Sequence, residues 1–358
     1  MQTITRKLAV LIGVCLCLIT LFISCCDDDN PVKPPPDIDT IDYKVYFADA
    51  SHPYTYFAYH TATKVLDSFT LPYRCDSGFA VSPDGTTMYL HTAHSVVVID
   101  LDSLTLRAEH TLETKGNQMS ISPDGAFLSV LHTELTIVRT SDFSVVYHGA
   151  AYSFNGIFSS DSKTFYCATI DEQNYIYLNR IRLGDSLSVD STYFADGATW
   201  RIVPTRDESL WFLFLWIWND LFVFEAYNTT TDSVVYSMGF APGHGDMEIT
   251  PDGRYVIFSQ PGRLNSDVPP PVYFTIFDVA RNNVYRRVTT EGIADTISPY
   301  GFAIGELCIT PDGRHLIGLA PNGGGELFDF NLKTMAFRRY IFLGADKYPI
   351  NLVCQSSP

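Results

Sequence analysis

The sequence predicts an all-β chain folded as a seven-bladed β-propeller, and three observations carry the prediction. A Ser/Thr-Pro-Asp-Gly turn between apolar strands recurs along the chain, at about the length of a four-stranded blade, and the chain ends on a lone strand pattern that its first blade lacks.

The clean turns are Ser82-Pro83-Asp84-Gly85, Ser122-Pro123-Asp124-Gly125, Thr250-Pro251-Asp252-Gly253 and Thr310-Pro311-Asp312-Gly313. Ser159-Ser160-Asp161-Ser162 and Thr205-Arg206-Asp207-Glu208 are worn copies. Proline presets φ at the first corner, aspartate bonds nearby backbone N–H groups, and glycine takes the left-handed position that closes the hairpin. Short runs rich in β-formers flank each turn, as in residues 79–81 and 88–90.

The turn aspartates are spaced by 40, 37, 46, 45 and 60 residues. Each interval holds the hairpin, a third strand such as 96–99 and, after a polar turn, a fourth such as 145–147. Residues 43–47, 54–59 and 65–71 make three strands with no inner strand ahead of them, and 351–354 reads as an inner strand with nothing after it. Joining the two closes blade 1 with the C-terminal strand and leaves no open edge in the ring.

Ahead of the propeller, Arg6 and Lys7 precede an apolar stretch over 8–23 that ends in Phe22-Ile23-Ser24-Cys25. This resembles a bacterial lipobox and implies a signal peptide over 1–24 with Cys25 lipidated; an uncleaved membrane anchor is the alternative. The acidic, proline-rich run that follows reads as an extended tether over 25–41, and the propeller as 42–358. Such a chain is expected in the bacterial cell envelope, anchored by lipid at the outer membrane or cell surface.

Without Arg6 and Lys7 the chain carries 22 basic against 40 acidic residues, a net −18 that excludes nucleic acid and anionic membrane surfaces as partners. Membrane contact is expected through the lipid alone. Cys75, Cys167, Cys308 and Cys354 show no CxxC or metal-ligand spacing, so no metal and no cofactor is expected. Cys308 and Cys354 fall on inner strands of neighbouring blades, where a bridge is conceivable and buried thiols are the expectation. The aromatic stretch over 210–224 reads as buried strands around an Asn-Asp turn, because propeller strands are covered on both faces. No HExxH, GxSxG or phosphate-binding loop is present, and the catalytic residues are unknown.

One pattern points to a site. Six residues before each turn aspartate stand Gly78, Gln118, Asn155, Arg201, Asp246 and Glu306, and the C-terminal strand adds Asn351. Strand alternation places them where the inner strands meet the central channel, opposite the turns. Arg201, Asp246 and Glu306 fall on blades 5, 6 and 7 and are expected to converge on one side of the channel mouth, with His244 just ahead of the blade 6 strand. The long joins over 260–271 and 289–305 lie on that face, where binding loops usually sit. Polar channel mouths also occur without ligands, and the three charges could equally steady the ring.

The repeat of apolar strand, Ser82-Pro83-Asp84-Gly85, Tyr89 and Val-Val-Val-Ile-Asp over 96–100 resembles the YVTN-type bacterial β-propeller family and, more broadly, lactonase-like seven-bladed propellers. The resemblance implies the fold; no lactonase catalytic motif falls on this sequence. The expected function is a binding or interaction module for a small polar molecule, polysaccharide or protein partner, with a lactonase-like hydrolase as the alternative.

Overall fold

The computed structural model describes residues 41–354 apart from 75–77, 113, 115, 151–155, 172–174, 185, 197, 218–220, 241–244, 260–273, 290–304, 321–324 and 345–346. The signal, the tether and Cys25 lie outside the described residues, as do Asn155, His244 and the two long joins.

Among the described residues every regular element is a strand, arranged as seven four-stranded antiparallel sheets. Blade 1 joins β28 (Pro349–Cys354) to β1 (Lys44–Asp49), β2 (Thr55–His60) and β3 (Leu66–Thr70). Blade 2 is β4–β7 (Phe79–Val81, Thr87–His91, Ser95–Asp100, Thr105–Thr111), and blade 3 is β8–β11 (Gly116–Ile121, Phe127–His132, Glu134–Arg139, Val145–Ala150). Blade 4 is β12–β15 (Gly156–Phe158, Thr164–Ile170, Tyr175–Arg182, Ser188–Asp196), and blade 5 is β16–β19 (Ala198–Pro204, Leu210–Ile217, Leu221–Asn228, Ser233–Phe240). Blade 6 is β20–β23 (Met247–Ile249, Tyr255–Ser259, Phe274–Asp278, Asn283–Val288), and blade 7 is β24–β27 (Glu306–Ile309, His315–Ala320, Glu326–Asn331, Ala336–Phe342). The seven-bladed fold and its closure by the C-terminal strand are therefore as the repeat predicts.

The turns do what their residues dictate. In all six, the Ser or Thr hydroxyl donates to the aspartate two residues on, from 2.5 Å at Ser82–Asp84 to 2.7 Å at Thr205–Asp207. That carboxylate also accepts the N–H two residues further on, as from Thr86 to Asp84 at 3.1 Å. Gly85, Gly125, Gly253 and Gly313 have φ of 69–75°. In the worn copies Ser162 and Glu208 hold the same left-handed position at 62° and 59°.

Seven apolar clusters fill the seams between blades. Phe212, Phe214, Phe224, Phe258 and Phe277 are wholly buried between blades 5 and 6, where the Phe224 and Phe258 rings stack at 4.3 Å. The aromatic stretch is core from Trp211 to Leu215 and from Phe222 to Phe224, while Trp216 is 41% exposed and the Asn219-Asp220 turn lies outside the described residues. Burial of this kind contributes roughly 1.5–3 kcal/mol per large apolar side chain. The cluster memberships also set the orientation of the inner strands. Met247 faces blade 5 and Leu307 faces blade 6, so Asp246, Glu248, Glu306 and Cys308 alternate onto the face toward the following blade.

Candidate ligand site in the central channel

Each inner strand pairs on one side only, and its other edge faces the channel with unpaired N–H and C=O groups. The charged residues meet that need. Asp246 reaches across the seam and accepts the Leu307 N–H of blade 7 on Oδ2 at 2.8 Å, while its Oδ1 accepts Met247 N–H at 2.8 Å. Glu306 repeats the step into blade 1, accepting the Asn351 N–H on Oε1 at 2.8 Å and the Leu352 N–H on Oε2. From blade 5, Arg201 reaches blade 6 with Nε 2.8 Å from Asp246 Oδ1 and 3.2 Å from the Met247 carbonyl, and Nη2 2.6 Å from Glu248 Oε1. Arg201, Asp246 and Glu306 therefore link inner strand to inner strand from blade 5 round to blade 1.

Strand alternation from Val203, which packs in the seam with blade 6, turns the Arg201 side chain toward blade 6, and a register shift of β16 against β17 follows between Arg201 and Thr199. In β28 the register against β1 shifts between Ile350 and Val353, and Asn351 takes φ 60°. Successive N–H groups around such a left-handed residue form a concave nest for an anion, and Glu306 fills it. Asparagine tolerates that conformation better than most residues. The contribution of Asn351 to this contact is its backbone.

The channel encloses about 710 Å³, and its lining is uneven around the ring. Arg201, Asp246, Glu248, Glu306 and the Asn351 backbone line the side formed by blades 5, 6, 7 and 1; Gly78, Ala80, Gln118, Ser120 and Gly156 line the side formed by blades 2, 3 and 4. The side chains of Arg201, Asp246 and Glu248 remain only 19%, 11% and 22% exposed, so their charges act in a poorly hydrated wall. Burial pushes the Glu248 carboxyl up, to about 7; Arg201 opposes the rise and Asp246 adds to it. Burial also raises Glu306, against the two N–H groups it accepts.

Of the residues expected at the site, the structure brings together Arg201, Asp246, Glu306 and Asn351 and places Gln118 across the channel. Asn155 and His244 cannot be placed, since they lie outside the described residues. Glu248, four residues before Asp252, is the one the repeat pattern passes over. Its signal was available: the same offset holds Ala80, Ser120, Ile157, Val203 and Cys308 in other blades, and only blade 6 puts an ionisable carboxylate there. Among the described residues no group of three or more His, Cys, Asp or Glu side chains is arranged to hold a metal ion.

No protein-family model matches the chain, and no curated protein matches its sequence. Solved structures do match. The hydrazine synthase of Kuenenia stuttgartiensis superposes with a TM-score of 0.60 at 17% identity, over 77% of this chain and 94% of that one. A functionally unknown protein from Desulfotomaculum acetoxidans gives 0.64 at 13% identity, over 88% and 99%. The dihydro-heme d1 dehydrogenase NirN in complex with DHE gives 0.55 at 16% identity, over 87% and 75%. At such identities the likeness carries the propeller fold and nothing of activity.

Proposed function

We propose that this chain is a lipid-anchored propeller of the YVTN type in the cell envelope, acting as a binding module that takes a polar ligand at the channel mouth. The observation that carries the reading is the asymmetry of the channel, in which three carboxyl groups and one guanidinium on one side face uncharged residues on the other. Asp246, Glu306 and Arg201 are fixed by backbone hydrogen bonds and Glu248 by its ion pair with Arg201, so they need no reordering when a ligand arrives. The excess of carboxylates favours a ligand with a cationic group. The loop face around the mouth is the surface offered to a polysaccharide or protein partner, and Cys25 is the anchor.

A hydrolase is the second reading, and Glu248 is what favours it. A carboxyl that burial pushes up to about 7 titrates near neutral pH, which suits general acid–base work. Binding remains the preferred reading because Arg201, Asp246 and Glu306 are already engaged in the walls of the ring. The test has two parts. The Cys25→Ser protein should leave the membrane fraction or accumulate unprocessed. Calorimetric screening of cationic amines, amino sugars and cell-wall oligosaccharides should give a ligand whose affinity falls about tenfold in Glu248→Gln or Gln118→Ala. Unchanged affinity in both variants would move the site out of the channel, and turnover of a screened lactone lost in Glu248→Gln would establish the enzyme instead.

A further inference from the structure

Cys308 in β24 and Cys354 in β28 sit on the inner strands of blades 7 and 1. Both belong to the apolar cluster that fills that seam, alongside Val45, Phe47 and Leu327. The two side chains thus pack into one cluster, and neither is in a disulfide. Their approach is held by the neighbouring residues, because Glu306, two residues before Cys308, binds the Asn351 and Leu352 N–H groups just before Cys354. The chain runs from blade 7 into β28, whose ladder with β1 closes blade 1 without a covalent link. The two cysteines differ in access: Cys308 is 7% exposed, while Cys354 is half-buried on the channel wall.

We propose that Cys308 and Cys354 are a modification site, a redox clasp whose disulfide pins the closing strand β28 to the inner strand of blade 7. The oxidant is a small or protein disulfide reaching Cys354 through the channel. Cys354 thiolate attacks one sulfur of that disulfide and expels the other half as thiolate, leaving a mixed disulfide on Cys354. Cys308 then gives up its proton to the departing thiolate, and its sulfur attacks Cys354 Sγ and expels the second half. Two protein thiols become one disulfide while one external disulfide becomes two thiols, so atoms and electrons balance. Burial, followed by the contact with Cys354, holds the Cys308 thiol well above its ordinary range, which makes it the resolving partner. The bond closes the chain between residues 308 and 354 into a loop and holds β28 beside β24, in register to pair with β1.

The test uses the full chain incubated with oxidised glutathione, then alkylated in denaturant and mapped by mass spectrometry. The expected result is a peptide pair joined through Cys308 and Cys354, lighter by two hydrogens than the separate peptides. Glutathione on Cys354 should precede it. The thermal midpoint should rise by about 5 °C on linking and return with dithiothreitol. Cys354→Ser and Cys308→Ser should each abolish the linked pair and the shift; comparison of wild type with and without dithiothreitol gives the same information if either variant fails to fold. Oxidation that stops at glutathionylated Cys354, or a linked pair with an unmoved midpoint, would overturn the proposal.

Discussion

Arg201 is the cation on which the charged wall of the channel depends. It pairs at 2.8 Å with Asp246 and at 2.6 Å with Glu248, two carboxylates that would otherwise face each other in a poorly hydrated seam. Arg201→Met keeps the length of the side chain and removes the charge. It is expected to destabilise the fold by about 3 kcal/mol, because breaking a buried pair leaves its partner uncompensated. Adding Glu248→Met should restore part of that loss, and urea unfolding of the single and double variants would show whether the two residues are coupled. An independent residue-scale effect lies in the turns that precede the outer strands. Leu104 is 39% exposed and holds φ 54°, so its side chain adds left-handed strain and little burial. Leu104→Gly should stabilise by about 1 kcal/mol, read as a higher denaturation midpoint. An unchanged or lower midpoint would mean that the side chain packs better than its exposure implies.

At the scale of elements, two sets of carboxylates pull stability in opposite directions with pH. In the turns, Asp84, Asp161 and Asp207 sit below their ordinary 3.8 chiefly because the Ser or Thr hydroxyl donates to them; in Asp124 and Asp252 burial opposes the shift and the summed hydrogen bonds overcome it. A depressed carboxylate stabilises above its unfolded value and loses that contribution as pH falls through the folded one, so these five turns should weaken together below about pH 4. In the channel the sign reverses. Glu248 is raised from 4.5 to about 7, so its favourable contribution is complete below pH 4.5 and is lost as pH rises toward 7. The loss is on the order of 3 kcal/mol. Chemical denaturation at steps from pH 4.5 to 8 should show a decline that flattens in Glu248→Gln; an equal slope in both proteins would assign the decline elsewhere.

These elements also show why the fold could be read from the chain and the roles at the site could not. A Pro-Asp-Gly turn closes on its own residues, so Ser82 to Thr87 announce a hairpin without any tertiary information. Alternation then counts from the turn to the channel and places Arg201, Asp246 and Glu306. Whether a carboxylate at that count faces solvent or a neighbouring N–H depends on how blades abut, and on bulges such as that at Asn351, which no local pattern encodes. Glu248 hid within a short strand, Met247–Ile249, of apolar appearance.

For the whole molecule the seam between blades 7 and 1 is decisive, because only there is the ring closed by contacts between the two ends of the propeller. The contacts are concentrated accordingly. β28 pairs with β1 from Val45–Cys354 to Asp49–Pro349. Asp49, fully buried, accepts the Tyr348 N–H at 3.0 Å and lies 3.3 Å from Lys347 Nζ, tying the β1 end to the segment that leads into β28. Further out, Tyr59 of blade 1 donates at 2.9 Å to Asp329 of blade 7, which also holds His315 at 2.9 Å. Deleting residues 351–358 removes the Val45–Cys354 and Tyr46–Val353 pairs of the ladder, both N–H donors to Glu306 and the Leu352 and Cys354 side chains from the seam. The buried Glu306 carboxylate is left without those donors and the β1 edge is exposed, which should cost about 5 kcal/mol or more and promote edge-to-edge association. Glu306→Gln, which keeps the strand and weakens only the nest, should cost about 1–2 kcal/mol. Thermal unfolding with size-exclusion chromatography separates the cases: the truncation should melt far below Glu306→Gln and self-associate. A truncated chain that stays monomeric and melts at the wild-type midpoint would mean that β28 does not hold the ring shut.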